Sequence, residues 1–218
     1  DVARRYPQID LLCGPGELDK LHPKLNVDFD DGATATESVS EGSTTVADYD
    51  VSWQGGGGSL SACTDSGPDA GDFTTTIVDS NTCRIAFSAA PDYENPSDEG
   101  TNNVYEVNLI ATDNNSDTDI LTLTITVTDV NDQAPAITVD PTYMQAESAA
   151  TAWQIFTIVD TDTTGTYSCW LAGSDAADFS ASISGKACTV VWASAPDYEN
   201  PADDDANNVY DIAIAVDD

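Results

Sequence analysis

Residues 90–107 read APDYENPSDEGTNNVYEV and residues 195–212 read APDYENPADDDANNVYDI, the same passage 105 positions later. Cys83 and Cys188 are also 105 apart, and Cys63 and Cys169 are 106 apart. Self-similarity at a fixed offset marks a repeated unit, so two copies of one module account for nearly everything beyond residue 24. The first copy is placed at residues 24–129 and the second at 130–218, with residues 1–23 as an N-terminal extension.

Working outward from the repeat, Tyr105, Val107, Leu109 and Ala111 alternate with mostly polar residues, and the same phase returns as Tyr210, Ile212, Ile214 and Val216. Leu121, Leu123, Ile125 and Val127 alternate with threonines. A period of two belongs to half-buried strands. Clusters such as QGGGGS and TDNNSDTD punctuate the runs as turns, and no comparably long stretch has a helical period. The expected fold is all-β: two tandem antiparallel β-sandwich modules of the immunoglobulin-like kind. The second copy has no counterpart of ILTLTITVTD, the last strand of the first. An open edge is expected there, filled by further chain or by a strand from another molecule.

Acids outnumber bases 39 to 6, for a net charge of -33, which excludes a nucleic-acid binder. A hydrophobic content of 40% with four Trp, eight Tyr and five Phe nevertheless supports a folded core. No apolar run is long enough for a membrane span. The start at Asp1, without a leader, is compatible with a processed protein. Cys83 shares the core phase of Ile85 and Phe87, and Cys188 that of Val190 and Trp192. The expected disulfides are Cys63–Cys83 and Cys169–Cys188, each worth about 3 kcal/mol, in an extracellular or cell-surface protein. Cys13 is left over as a free, capped or intermolecular thiol.

The acids collect at strand ends and loops. The first copy offers Glu37, Glu41, Asp48, Asp50, Asp92, Glu94 and Asp113, and the second Glu147, Asp160, Asp162, Asp197, Glu199, Asp217 and Asp218. Between them, residues 129–135 read DVNDQAP. Carboxylates, amide side chains and carbonyls are the oxygen donors that Ca²⁺ takes. Crowded without a cation, such acids repel one another. A solvated acidic surface accounts for the charge but not for the clustering.

This pattern resembles the tandem repeats of the cadherin superfamily, including the bacterial-type cadherin-like repeats of surface adhesins. DVNDQAP is similar to their DxNDNAP linker, DYE to the DRE triplet, DTD to the DxD element and AVDD to the last, acidic element. Gln133 stands for the second linker Asn, and Tyr93 for the triplet Arg. The resemblance implies a calcium cluster at the junction, using Glu37 or Glu41, Asp92, Glu94, Asp129, Asn131, Asp132, Asp160, Asp162 and Asp218. Asp197 and Glu199 would face a following module, and Asp48 and Asp50 a preceding one.

No catalytic set is legible. His22 is the sole histidine, and no GxSxG, HExxH, P-loop or GxGxxG string occurs. Trp192 has the core phase, whereas Trp53, Trp153 and Trp170 could pack on the core or stack on sugars. Asn114-Asn115-Ser116 is a possible glycosylation sequon in a predicted loop. Four of the six basic residues, Arg4, Arg5, Lys20 and Lys24, lie at the N-terminal end, against 35 acids and two bases in the remainder. That extension is either a linker or an arm that binds the next subunit head-to-tail. The expected function is non-enzymatic: a calcium-stiffened adhesive rod or pilus-like filament built by self-association. The alternative is a carbohydrate-binding accessory region of a secreted hydrolase.

Overall fold

The computed structural model describes residues 25–27, 32–52, 58–138, 144–147 and 152–218. Cys13, His22, Trp53, the 1–23 extension and the side chain of Trp153 lie outside the described residues. The chain divides into two units, Asp1–Thr128 and Asp129–Asp218.

The first unit is a sandwich of two four-stranded sheets. One has the order β1 (Leu25–Val27), β3 (Thr45–Val51), β6 (Thr82–Phe87), β5 (Phe73–Asp79). The other has β2 (Ala33–Ser40), β8 (Thr118–Thr128), β7 (Val104–Asp113), β4 (Leu60–Ser66). Strict alternation drives this arrangement. Tyr105, Val107, Leu109 and Ala111 on β7 and Leu121, Leu123, Ile125 and Val127 on β8 are all within 1% of full burial, while the threonines between those of β8 face outward. Phe73, Phe87 and Tyr105 pack as an aromatic triad with ring centroids 4.6 to 5.9 Å apart. Cys63 on β4 is bonded to Cys83 on β6, tying the two sheets together across the core.

Among the described residues two pairings are parallel rather than antiparallel: β1 with β3, and β2 with β8. Parallel neighbours need a long crossover between them. That condition is met because β2 lies near the start of the module and β8 at its end, a relation that local periodicity does not carry.

Among the described residues the second unit repeats the plan with fewer strands. One sheet has the order β12 (Phe179–Ser184), β13 (Ala187–Trp192), β10 (Ala152–Val159), β9 (Ala136–Ile137), and β11 (Ser168–Ala172) pairs with β14 (Ala213–Asp217). Cys169 is bonded to Cys188, again joining the sheets. Phe179, Trp192 and Tyr210 rebuild the triad. Phe156, Phe179, Cys188 and Val190 form the buried centre, with Tyr210, Ile212 and Ile214 packed against it but half-buried. Trp192 is half-buried too, and Trp170 is 46% exposed. Among the described residues no helix is long and apolar enough to cross a membrane.

Candidate metal centre

In the second unit the acids converge where β10 and β14 end. Asp160 and Asp162 follow β10 directly, and Asp218 follows β14. One carboxylate oxygen from each lies within 4.8 Å of the other two. Asp162 is 1% exposed, and its Oδ2 accepts the amides of Asp132 and Gln133 at 2.9 and 2.8 Å. The Asp162 amide in turn donates to Asp160 Oδ1 at 3.0 Å. Asp129 Oδ2 accepts the amides of Thr163 and Thr164 and the Thr163 hydroxyl. The hydroxyl, first, and then the amides hold the Asp129 carboxyl below its usual range. Residues 129–133 are thus laced by hydrogen bonds to the loop that follows β10.

What remains is a set of oxygens with lone pairs to spare. Asp129 Oδ1, Asp160 Oδ2, Asp162 Oδ1 and Asp218 Oδ2 are buried and accept no hydrogen bond from a protein donor. Desolvation, followed by the negative charge of Asp160, pushes the Asp218 carboxyl up. Buried acceptors facing one another without donors fit a hard cation with oxygen ligands. Gly165, at φ +117°, belongs to the same structure: a Cβ there would stand 2.7 Å from Asn131 Oδ1, so only glycine leaves that amide oxygen its place. A second group, Glu147, Asp197 and Glu199, brings oxygens within 4.8 Å on an exposed surface of the unit.

In the first unit, Glu41 and Glu94 bring carboxylate oxygens within 4.8 Å of each other. Glu41 is 8% exposed and accepts the Tyr93 amide at 2.8 Å, which fixes it against the turn carrying Asp92 and Glu94. Asp92 accepts the Asn95 amide at 3.1 Å. Glu37 is elsewhere: its Oε1 accepts the hydroxyl of fully buried Tyr49 at 2.8 Å. Burial, and then that bond, raises the Tyr49 hydroxyl far above its normal pKa. Of the two glutamates open from sequence, Glu41 is the one beside the DYE turn. Asp48 and Asp50 lie within β3, where Asp48 pairs with the Arg84 guanidinium at 2.6 Å and Asp50 accepts the Thr82 hydroxyl at 2.7 Å. Both thus have partners within their own sheet. Asn114 sits exposed at the β7–β8 turn.

Sequence reasoning missed another set of acids. Asp69 and Asp98 are 4% and 2% exposed. Asp69 accepts the amides of Glu99 and Glu106, and Asp98 those of Asn102 and Asn103. Asp175 and Asp203 repeat these bonds in the second unit, to Asp204 and Asp211 and to Asn207 and Asn208. They pin the long loop after β6 or β13. The signal was present in the repeated NN doublets, whose second Asn has φ +63° in both copies.

No protein-family model matches the chain, and no curated protein matches it. Solved structures do. The chain is similar to protocadherin gammaB7 EC3-6 (18% identity, TM-score 0.57), covering 84% of this chain and 45% of that one. It is similar to mouse cadherin-23 EC22-24 (20%, 0.55; 84% and 62%) and to Drosophila N-cadherin EC1-4 (19%, 0.53; 84% and 43%). It therefore spans less than two thirds of each of these chains. The fold of this protein is that of cadherin-like β-sandwich modules.

Proposed function

We propose that this is a non-enzymatic extracellular or cell-surface protein whose cadherin-like modules bind Ca²⁺ and are stiffened by it, within an adhesive rod or head-to-tail filament. The carrying observation is the trio Asp160, Asp162 and Asp218, whose buried oxygens face one another without donors. Asp129, Asn131 and Asp132 belong to the proposed ligand set of the second unit, and Glu41, Asp92 and Glu94 are proposed as calcium ligands of the first. Binding would replace carboxylate repulsion by coordination, so that loss of the cation loosens the residues it orders. The two disulfides support an oxidising compartment.

Calorimetric titration of the full chain with CaCl₂, and its thermal unfolding with and without EGTA, test the proposal. A cation at a hundred times its dissociation constant stabilises the folded state by about 2.7 kcal/mol. Asp160→Asn and Asp162→Asn are expected to abolish that gain. An unfolding curve indifferent to EGTA would leave the acids as a solvated surface.

A second reading, a carbohydrate-binding accessory region, is favoured by exposed Trp170 and by a cavity of about 210 Å³ lined by Asp178, Trp192, Asn200 and Tyr210. Glycan retention abolished by Trp170→Ala or Trp192→Phe would establish it.

A further inference from the structure

The calcium ligands leave one motif of the chain without a role, Asn114-Asn115-Ser116. An Asn followed by any residue but Pro and then by Ser or Thr is the acceptor triplet for N-linked glycosylation, and in a secreted protein it belongs on a surface loop. This is the only such triplet in the 218 residues. Asn95-Pro96-Ser97 has the right ends but a Pro in the middle, which bars it.

The fold puts the triplet where a glycan fits. Asn114, Asn115 and Ser116 are all exposed in the turn between β7 and β8. Buried Asp113 holds that turn: its carboxylate accepts the amides of Asn115 and Asp117, both at 2.8 Å, and the side-chain amide of Asn115 at 3.1 Å. The Asn114 backbone amide donates to Ser59 O at 3.1 Å, and among the described residues nothing engages its side chain. One asparagine amide is thus spent on the turn and the other is available. Ser116 has φ +73°, a region that favours glycine or asparagine. The backbone gives no reason for a serine there, whereas a hydroxyl two residues after Asn114 completes the acceptor triplet.

We propose that Asn114 is an N-glycosylation site, modified at Nδ2. The donor is an oligosaccharide linked to a polyprenyl diphosphate. The bond from its anomeric carbon to the diphosphate oxygen breaks, that carbon bonds Nδ2, the amide gives up one proton, and the polyprenyl diphosphate leaves with the electron pair. This site rests on the extracellular reading above, because the transfer belongs to the secretory route. β7 runs ten residues from Val104, next to the Asn103 side chain that donates to Tyr93 O, to Asp113, so about 30 Å separates the sugar from the DYE turn. Sugar and the acids Glu41 and Glu94 therefore occupy opposite ends of β7.

The test is to secrete the full chain from cultured eukaryotic cells and to compare its mass before and after peptide N-glycosidase, on secreted and intracellular material alike. One glycan is expected, removed by the enzyme with conversion of Asn114 to Asp in peptide mass spectra. Asn114→Gln and Ser116→Gly should each abolish the mass change, and glycine suits the φ of position 116, so the turn stays intact. Asn115→Gln should keep it. EGTA should shift the melting temperature of the glycosylated and Asn114→Gln chains equally, and unequal shifts would overturn the placement of the sugar clear of Glu41 and Glu94. Intact disulfides on non-reducing electrophoresis, with a mass indifferent to the enzyme, would overturn the site and leave the extracellular reading standing. Sugar on Asn114 with free thiols at Cys63 and Cys83 would uphold the site and overturn that reading. A mass change that persists in Asn114→Gln would put the sugar on another residue and overturn the assignment.

Discussion

Tyr105 and Tyr210 hold the same place in two copies of one repeat, each edge-on to the aromatic pair beneath it. The first is fully buried and the second half-buried. Their local sequences, NNVYEV and NNVYDI, are nearly the same, so the difference comes from what lies alongside. In the first module β8 covers the row. In the second no described strand does. A strand's own pattern says which side chains want burial, and its neighbours decide how much burial they get.

The largest expected break in this comparison is in the core. Leu123→Ala removes a fully buried side chain from β8 and should cost the first module about 2–5 kcal/mol. Ile212→Ala removes one already half in water and should cost the second roughly 1–2 kcal/mol. Urea unfolding of the two variants, followed by near-ultraviolet circular dichroism, measures both. Equal losses would mean that the second row is as well covered as the first.

Next come the disulfides. Replacing Cys63 and Cys83 by alanine, or Cys169 and Cys188, should cost about 3 kcal/mol in either module, because each closes a loop of nearly the same length. The second module starts from a smaller core, so the same loss should unfold it at a lower temperature in calorimetry.

A smaller effect separates the aromatic triads. In the first module Ser97 donates its hydroxyl to Asp72 at 2.9 Å. In the second Ala202 stands in its place, and desolvation, then the charge of Asp175, raises the Asp178 carboxyl. Ala202→Ser should return the missing donor and raise stability by about 1 kcal/mol, read as a shift in the urea midpoint.

Acid tests the same region with the opposite sign. The amides of Asp204 and then Asp211 hold the Asp175 carboxyl below its ordinary 3.8. A depressed carboxylate contributes stability that is complete above its ordinary pKa and is lost as pH falls through the folded value. The second module should therefore weaken below pH 3.8, and Asp175→Asn should flatten that dependence in thermal melts taken between neutral and acid pH.

Much of the fold was legible in the sequence because it is written in short-range signals. Period-two alternation named the strands β7 and β8, and the shared offset of the cysteines named both disulfides. The parallel seat of β2 against β8 was not legible, since Ala33 and its partner Leu121 lie 88 positions apart by residue number, 121 minus 33, and nothing local reports which edge they share. The acids divide in the same way. DTD and DVNDQ were recognisable as oxygen-rich, but Glu37 and Glu41 are four residues apart on one chain segment and equally acidic. Only the packing of Tyr49 against one and the Tyr93 amide against the other tells them apart.

The sequence by itself determined the duplication, the strand phases and the cysteine pairs, because each depends on residue type and spacing along the chain. The tertiary structure alone decided which carboxylates keep free lone pairs. Asp69, Asp98, Asp175 and Asp203 spend theirs on backbone amides, whereas Asp160, Asp162 and Asp218 hold buried oxygens facing one another. A carboxylate's role depends on the donors that folding brings to it, and those come from residues far away in the chain.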